Sequence, residues 1–176
     1  MDNPLSLLSE YEQRGQQHVV DLSSAEDRRE YWRSIAFRVG GMHMLLDEHD
    51  ADELLRPPPI LPIPGTRRWV SGVANVRGEL LPVIDFRDFL FAEPASPDKQ
   101  SRVLVIAMDD VRSGLLVDQV MGVRRFPVDT FRQPQTEGFP AVVKQMIDGC
   151  YREEEVFHVM SVRKLIEDTG FMQAAA

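Results

Sequence analysis

The stretch Trp69-Val-Ser-Gly-Val-Ala-Asn-Val-Arg-Gly-Glu-Leu-Leu-Pro-Val-Ile-Asp85 decides the fold of this chain. It consists of two apolar segments separated by a short polar turn that contains Arg77 and Gly78. Gly78 can supply the positive φ that a tight hairpin turn needs, so the pattern predicts a β-hairpin with Arg77 at its tip. Pro82 has no N–H to donate, and its strand is therefore expected to lie at a sheet edge or to carry a bulge.

The chain from Arg33 onward repeats this pattern of short apolar runs broken by Gly, Pro and Asp, which is typical of antiparallel strands. Gly40-Gly41 and Asp109-Asp110 stand where hairpin turns are required. Beyond the opening hairpin, the predicted strands are Ile35–Val39, Met42–Leu46, Val103–Met108, Val111–Val117, Val120–Phe126, Met146–Tyr151 and Val156–Met160. The prediction is a mainly β architecture of two small sheets, each closing on itself to avoid long edges.

Helical signals occur in four places. Residues 4–31 have leucines at helical spacing followed by candidate N-cap serines, and shorter helices are predicted at Phe86–Phe91, Phe139–Lys144 and Ser161–Glu167. We therefore expect an N-terminal helical extension at residues 1–32 and a C-terminal helix at about residues 161–168. The proline-rich run from Arg56 to Gly65 predicts a stiff loop before the Trp69 strand.

Composition excludes several classes of function. The formal charge of −8 across 176 residues argues against a surface that binds nucleic acid or anionic lipid. A single cysteine, Cys150, cannot form an internal disulfide and fits a reducing cytoplasm. No signal peptide is recognisable, and no apolar run approaches the roughly 18 residues that a membrane-spanning helix needs. These features predict a cytoplasmic protein.

Two motifs resemble those of a known family. Gly72-Val-Ala-Asn-Val-Arg-Gly78 followed by Leu81-Pro-Val-Ile-Asp85 resembles the signature of CheW domains, and it fixes about a dozen residue types. Gly114-Leu-Leu-Val-Asp-Gln-Val120 resembles the second motif of the family more loosely. The resemblance runs from about Ile35 to Glu167.

This resemblance implies a fold, a function and partners. The fold is two five-stranded SH3-like β-barrels with a hydrophobic groove between them, within a CheW-like domain at residues 33–169. The first barrel is expected from about residues 33–92 and the second from about residues 100–160. The implied function is a non-enzymatic adaptor, without cofactor, that bridges the signalling tip of a methyl-accepting receptor and the CheW-like regulatory domain of a CheA-type histidine kinase.

The branch of the family is indicated by three further features. The long N-terminal extension, Phe126-Pro-Val-Asp-Thr-Phe131 and Gly170-Phe171 resemble the PilI branch, the CheW-like adaptors of systems that control type IV pili and twitching motility. A flagellar chemotaxis CheW would share the first motif and stays open as an alternative. A stand-alone interaction module of another signalling system is the other alternative.

The candidate protein-binding residues follow from the same resemblance. Glu53 falls where the family often has a glutamate, and Arg77 falls on its exposed turn arginine, so the two are expected to pair or to face a partner jointly. Without the resemblance, Arg77 would be read as a solvated hairpin tip. The full set of candidates is Glu53, Gly72, Asn75, Arg77, Gly78, Asp118 and Val120. How they divide between receptor and kinase is open at this stage.

A metal or hydrolase site built on His43, Asp47 and His49 is a weaker alternative. Residues 47–50 are predicted to form a turn, which breaks the alternation that would point these side chains to one face, and no fourth ligand stands at a suitable spacing.

Overall fold

In the computed structural model, which describes residues 29–174, the chain forms eleven strands, four short α-helices and two single-turn 3-10 helices. The strands are β1 (Tyr31–Val39), β2 (Met42–Asp47), β3 (Ala51–Leu55), β4 (Ile60–Leu61), β5 (Val70–Val76), β6 (Glu79–Asp85), β7 (Arg102–Met108), β8 (Val111–Val117), β9 (Gln119–Pro127), β10 (Ile147–Arg152) and β11 (Val156–Met160). The helices are α1 (Phe86–Phe91), α2 (Ala141–Met146), α3 (Val162–Glu167) and α4 (Thr169–Met172). The helical segments predicted within residues 1–28 lie outside the described residues.

The strands form two sheets, and the predicted mainly β architecture is confirmed. The five-stranded sheet has the order β10-β11-β2-β1-β9, and the six-stranded sheet has the order β3-β7-β8-β6-β5-β4. Two pairings, β2 with β11 and β6 with β8, are parallel, and the other pairings within the sheets are antiparallel.

The sheets do not divide the chain where the sequence suggested. The expected barrels met at the linker after α1, but that linker joins α1 to β7 inside the region of the six-stranded sheet. The six-stranded sheet takes the continuous segment 51–117, and the five-stranded sheet takes strands from both sides of it. The expectation failed because β1 pairs with the distant β9, for example at Ile35 and Val123, and apolar patterns identify strands without identifying distant partners.

Apolar side chains from both sheets share one core. Phe37 and Met44 from the five-stranded sheet pack in the same buried cluster as Ile106 and Leu115 from the six-stranded sheet, with Leu165 of α3. Each sheet also encloses a smaller apolar cluster of its own. This arrangement fits two small barrels that share a wall.

Helix boundaries follow local capping. Ser161 caps α3 as predicted, since its Oγ accepts a hydrogen bond of 3.2 Å from the Lys164 N–H. Helix α2 begins after Pro140 rather than at Phe139. Asp85, the last residue of the opening motif, caps α1 through Oδ1 and accepts a 2.8 Å hydrogen bond from the Ala95 N–H through Oδ2. That carboxylate therefore fixes both the helix and the linker.

The proline-rich run contains a strand that the sequence did not reveal. β4 pairs Leu61 with Val73 of β5, so β4 forms the edge of the six-stranded sheet. As a whole, β6 is not the edge strand expected from Pro82, because it lies between β5 and β8. Pairing of β6 with β8 begins only at Val83, and Pro82 therefore lies in the part of β6 that has a neighbour on one side only. The bulge lies in β5, between Val70 and Gly72.

Among the described residues, no helix is long and apolar enough to cross a membrane.

Candidate protein-docking site

The β5–β6 turn is a two-residue hairpin loop. Val76 faces Glu79 across the hairpin, and Arg77 and Gly78 between them have φ angles of 53° and 85°. Positive φ at both positions is the geometry of a type I′ turn, which matches the twist of the flanking strands. The Asn75 Oδ1 accepts a 2.9 Å hydrogen bond from the Gly78 N–H. The predicted role of Gly78 is confirmed, while the left-handed conformation of Arg77 was not foreseen.

Arg77 and Glu53 form an ion pair at this turn. The Arg77 Nη2 lies 2.5 Å from the Glu53 Oε1, and the Arg77 side chain is 80% exposed while that of Glu53 is 16% exposed. A second guanidinium, that of Arg112, lies 3.8 Å from the other Glu53 oxygen and 2.9 Å from Asp52 Oδ2. The hydrogen bond to Asp52 raises the pKa of Arg112 above its ordinary value. Glu53 is thus held between two cations, and Arg77 is left largely in solvent.

An exposed apolar strip lies beside the ion pair. It consists of Leu61, Val73, Leu80 and Pro82 on the outer face of the six-stranded sheet. Leu61, Val73 and Pro82 stand opposite one another on neighbouring strands, and Leu80 stands opposite Asn75 in the next row. Leu61 and Leu80 are 70% and 72% exposed, whereas Leu81, between Leu80 and Pro82, points into the inner cluster. Grouped exposed leucines of this kind mark interaction surfaces more often than isolated ones do.

Gly72 is buried and serves the packing of β4 on β5. Its φ is 137°, and a Cβ built on it would overlap the backbone oxygen of Leu61. Only glycine allows so close an approach of the two strands. Gly72 therefore supports the apolar strip from beneath rather than contributing to its surface.

Asp118 and Val120 lie at the junction between the sheets. The Asp118 Oδ2 accepts a 2.8 Å hydrogen bond from the Gly40 N–H, and the Asp118 N–H donates to the Arg38 oxygen at 3.0 Å. Val120 stands opposite Phe37 and packs against the shared core. The structure thus gathers four of the seven candidates, Glu53, Asn75, Arg77 and Gly78, around one turn and places the other three elsewhere.

Sequence reasoning missed the apolar strip and Arg112. Whether Leu80 is exposed depends on which face of the sheet is covered by the rest of the protein. The strip also includes Leu61 of β4, and β4 could not be recognised among the prolines of its segment. The alternation of Leu80, Leu81, Pro82 and Val83 in β6 was the available signal, because it sends Leu80 and Pro82 to the same face.

His43 and His49, in the described part of the chain, form no metal site with nearby acids. The His49 Nδ1 lies 2.9 Å from the Asp47 Oδ1, and the ring of His43 packs 5.4 Å from that of Phe157. No group of three or more His, Cys, Asp or Glu side chains within residues 29–174 is arranged to hold a metal ion.

His158 is buried, and its Nδ1 has no hydrogen-bond partner among the described residues. Burial lowers the pKa of His158 below its usual 6.5, and the neighbouring His43 lowers it further. The unfolded chain therefore takes up this proton before the folded chain does, and stability is lost as the pH falls below about 6.5. One such group changes the free energy of unfolding by at most about 1.4 kcal/mol per pH unit.

We expect His158→Gln to flatten this pH dependence. Urea unfolding at several pH values between 5 and 8 measures it, with His49→Gln, at an exposed histidine, as the control. An unchanged slope in His158→Gln would mean that another group carries the dependence.

Comparison with known proteins identifies the family. The family model of the CheW-like domain matches residues 33–170. The chain belongs to the CheW-like domain family. It is 37% identical to the protein PilI of Pseudomonas aeruginosa over 175 residues, covering 99% of this chain and 98% of PilI. It is 28% identical to the protein FrzA of Myxococcus xanthus over 148 residues, covering 84% of this chain and 92% of FrzA.

A solved CheW structure has the same fold. The scaffolding protein TtCheW from Thermoanaerobacter tengcongensis matches with a TM-score of 0.70 and 22% identity, covering 80% of this chain and 96% of TtCheW. The predicted resemblance to CheW domains, and to PilI among them, is confirmed.

Proposed function

We propose that this CheW-like protein is a chemosensory adaptor that couples methyl-accepting receptors to a CheA-type histidine kinase, in a system that controls type IV pili and twitching motility. Membership of the family supports the adaptor role, and the similarity to PilI along almost the whole chain supports the pilus output. The protein acts in the cytoplasm at receptor arrays and catalyses no reaction. Its partners are the receptor's signalling tip and the kinase's CheW-like regulatory domain.

The observation that carries this proposal is the ion pair of Arg77 and Glu53 beside the exposed apolar strip. An apolar centre with charged groups at its margin is the usual anatomy of a protein interface. Arg77 suits such a margin because its planar guanidinium keeps donors available after one of its nitrogens has paired with Glu53. Contact with a partner would remove the exposed surfaces of Leu61 and Leu80 from water, which favours binding.

Two surfaces on one rigid body give the adaptor its coupling. The apolar strip and the β5–β6 turn form the surface for the regulatory domain of the kinase. The junction of the sheets at Asp118 and Val120 forms part of the groove for the receptor tip. Both sheets pack on one shared core, and a close-packed core transmits strain. A displacement of one binding surface therefore affects the other.

We expect Arg77→Glu to weaken binding of the kinase regulatory domain at least about tenfold, because it places a carboxylate where the partner meets a cation. The melting temperature should change little, since an exposed ion pair contributes only about 0–1 kcal/mol. Titration calorimetry with the purified domain measures the first effect and thermal unfolding measures the second. Arg163→Glu is the matched control, because Arg163 is also an exposed arginine paired with an acid, Asp109, but lies on α3.

The exchange Arg77→Glu with Glu53→Arg separates a direct contact from an internal one. It restores an ion pair between positions 53 and 77 but places a cation at position 53 beside Arg112, and it does not restore the original charge at the tip. If binding returned to the parental level in the exchanged protein, Arg77 would act only by holding Glu53. If the Arg77→Glu variant alone bound the kinase domain with parental affinity, the β5–β6 turn would not be part of the interface.

The output of the system is tested in cells. Deletion of the gene should reduce surface twitching and leave flagellar swimming unchanged, and the reverse result would select the flagellar alternative.

A further inference from the structure

A second candidate surface lies on the five-stranded sheet, where a cavity of about 370 Å³ opens between β1, β10 and the segment that follows β9. Three aromatic and three acidic side chains dominate its walls. We call this cavity the aromatic cleft, and these residues are Trp32, Phe131, Tyr151, Asp47, Asp50 and Asp148.

The aromatic side chains form one continuous wall of the cleft. The rings of Trp32 and Tyr151 are stacked with centroids 5.7 Å apart and an interplanar angle of 17°. The Phe131 ring lies 5.4 Å from that of Tyr151 and is tilted by 59° to it, so it closes one side of the wall. Phe131 is 46% exposed, which is unusual for so large an apolar side chain. The faces of such rings attract cations.

The three carboxylates differ in what already neutralises them. Asp47 accepts the indole N–H of Trp32 at 2.7 Å and contacts His49, while Asp148 lies 2.6 Å from the Lys164 Nζ. The Asp50 carboxylate makes neither a hydrogen bond nor an ion pair with any described residue. Burial raises the pKa of Asp50, and the charge of Asp47 raises it further, against weaker opposing effects from His49 and Arg163.

A ligand that fits this cleft therefore carries a positive charge and is not purely apolar. Three carboxylates repel an anionic ligand, and a purely apolar ligand would bury the Asp50 carboxylate without a partner, which is costly. A guanidinium satisfies both kinds of wall, because it stacks on aromatic faces and donates paired hydrogen bonds to carboxylates. Its aliphatic stem can also lie along the apolar part of the cleft.

We propose that the aromatic cleft binds an arginine side chain presented by a protein partner, with the guanidinium packed on the aromatic wall and hydrogen-bonded to Asp50. This site is separate from the β5–β6 turn and does not depend on which protein occupies that turn. It gives the five-stranded sheet a docking point of its own.

The probe for this site is N-acetylarginine amide, with N-acetylcitrulline amide as the neutral analogue of nearly identical shape. Titration is followed by the two indole N–H signals in nitrogen–proton NMR spectra. The Trp32 signal should shift saturably with the arginine compound and respond about tenfold more weakly to the citrulline compound. The Trp69 signal should stay unchanged, because that ring packs on Phe89 and Phe171 at the shared core.

Asp50→Asn should weaken binding of the arginine compound about tenfold, while Asp110→Asn, in the exposed β7–β8 turn, should leave it unchanged. The melting temperature of Asp50→Asn should equal or exceed that of the parent, which separates lost binding from lost folding. The proposal is overturned by any of three results: equal shifts with arginine and citrulline compounds, parental affinity in Asp50→Asn, or no saturable shift of Trp32.

Discussion

Replacing Gly72 with alanine is expected to lower the free energy of unfolding by about 3 kcal/mol, because the change introduces two penalties at one position. The φ of 137° is a conformation that side chains with a Cβ rarely adopt, and the new Cβ would overlap the Leu61 backbone oxygen. β4 must then move away from β5, and Leu61 leaves the apolar strip. Binding of the kinase domain should therefore weaken together with stability.

Gly78→Asn is the matched control for this prediction. Gly78 also has positive φ, 85°, but a Cβ there meets nothing within 4 Å, and asparagine tolerates the left-handed region. Urea unfolding of both variants separates backbone strain from steric overlap. A Gly72→Ala protein as stable as the parent would contradict the close approach of β4 to β5.

Replacing Arg68 with methionine is expected to lower the free energy of unfolding by about 2 kcal/mol. Arg68 holds the Asp88 carboxylate through Nε at 2.9 Å and Nη2 at 2.7 Å, and the Asp88 side chain is only 2% exposed. Methionine keeps much of the aliphatic stem and removes both donors, so a buried carboxylate on α1 loses its cation. The effect stays below that of a fully buried pair because Arg68 itself is 64% exposed and water can enter.

The control for Arg68 is an arginine of similar exposure whose partner is an exposed carboxylate. Arg163 is 58% exposed and lies 3.6 Å from Asp109, which is 65% exposed. Arg163→Met should therefore cost no more than about 0.5 kcal/mol by the same chemical denaturation. Equal losses in the two variants would mean that burial of Asp88 does not decide the effect.

Local chemistry made the opening hairpin and its key residues predictable. Gly78 is required by a two-residue turn whatever the rest of the chain does, and Ser161 caps the helix that follows it directly. The pairing of Glu53 with Arg77 could be predicted only from the resemblance to the family, because the two residues are 24 positions apart in the sequence. The contact of Asp118 with Gly40 spans 78 residues, and no local pattern specifies it.

The errors have a common physical cause. Strand periodicity reports which residues are buried, but it does not report the neighbour against which a strand is buried. β4 was hidden because two apolar residues among prolines lack a periodic signal. The position of β6 inside its sheet depends on its parallel pairing with β8, which no local pattern reports. The exposed leucines of the apolar strip and Phe131 of the aromatic cleft likewise resemble core residues in the sequence.

The insertion of one sheet between strands of the other has a consequence during synthesis. The segment 51–117 contains all six strands of its sheet, so these strands can pair as soon as they have left the ribosome. β1 has to wait for β9, since Ser34 and its partner Arg124 are 90 residues apart. Until then one edge of β1 is open to other chains. β1 is therefore synthesised first but is among the last strands to gain all its pairing partners. Until β9 has been made, the exposed edge of β1 is not covered by the protein's own chain.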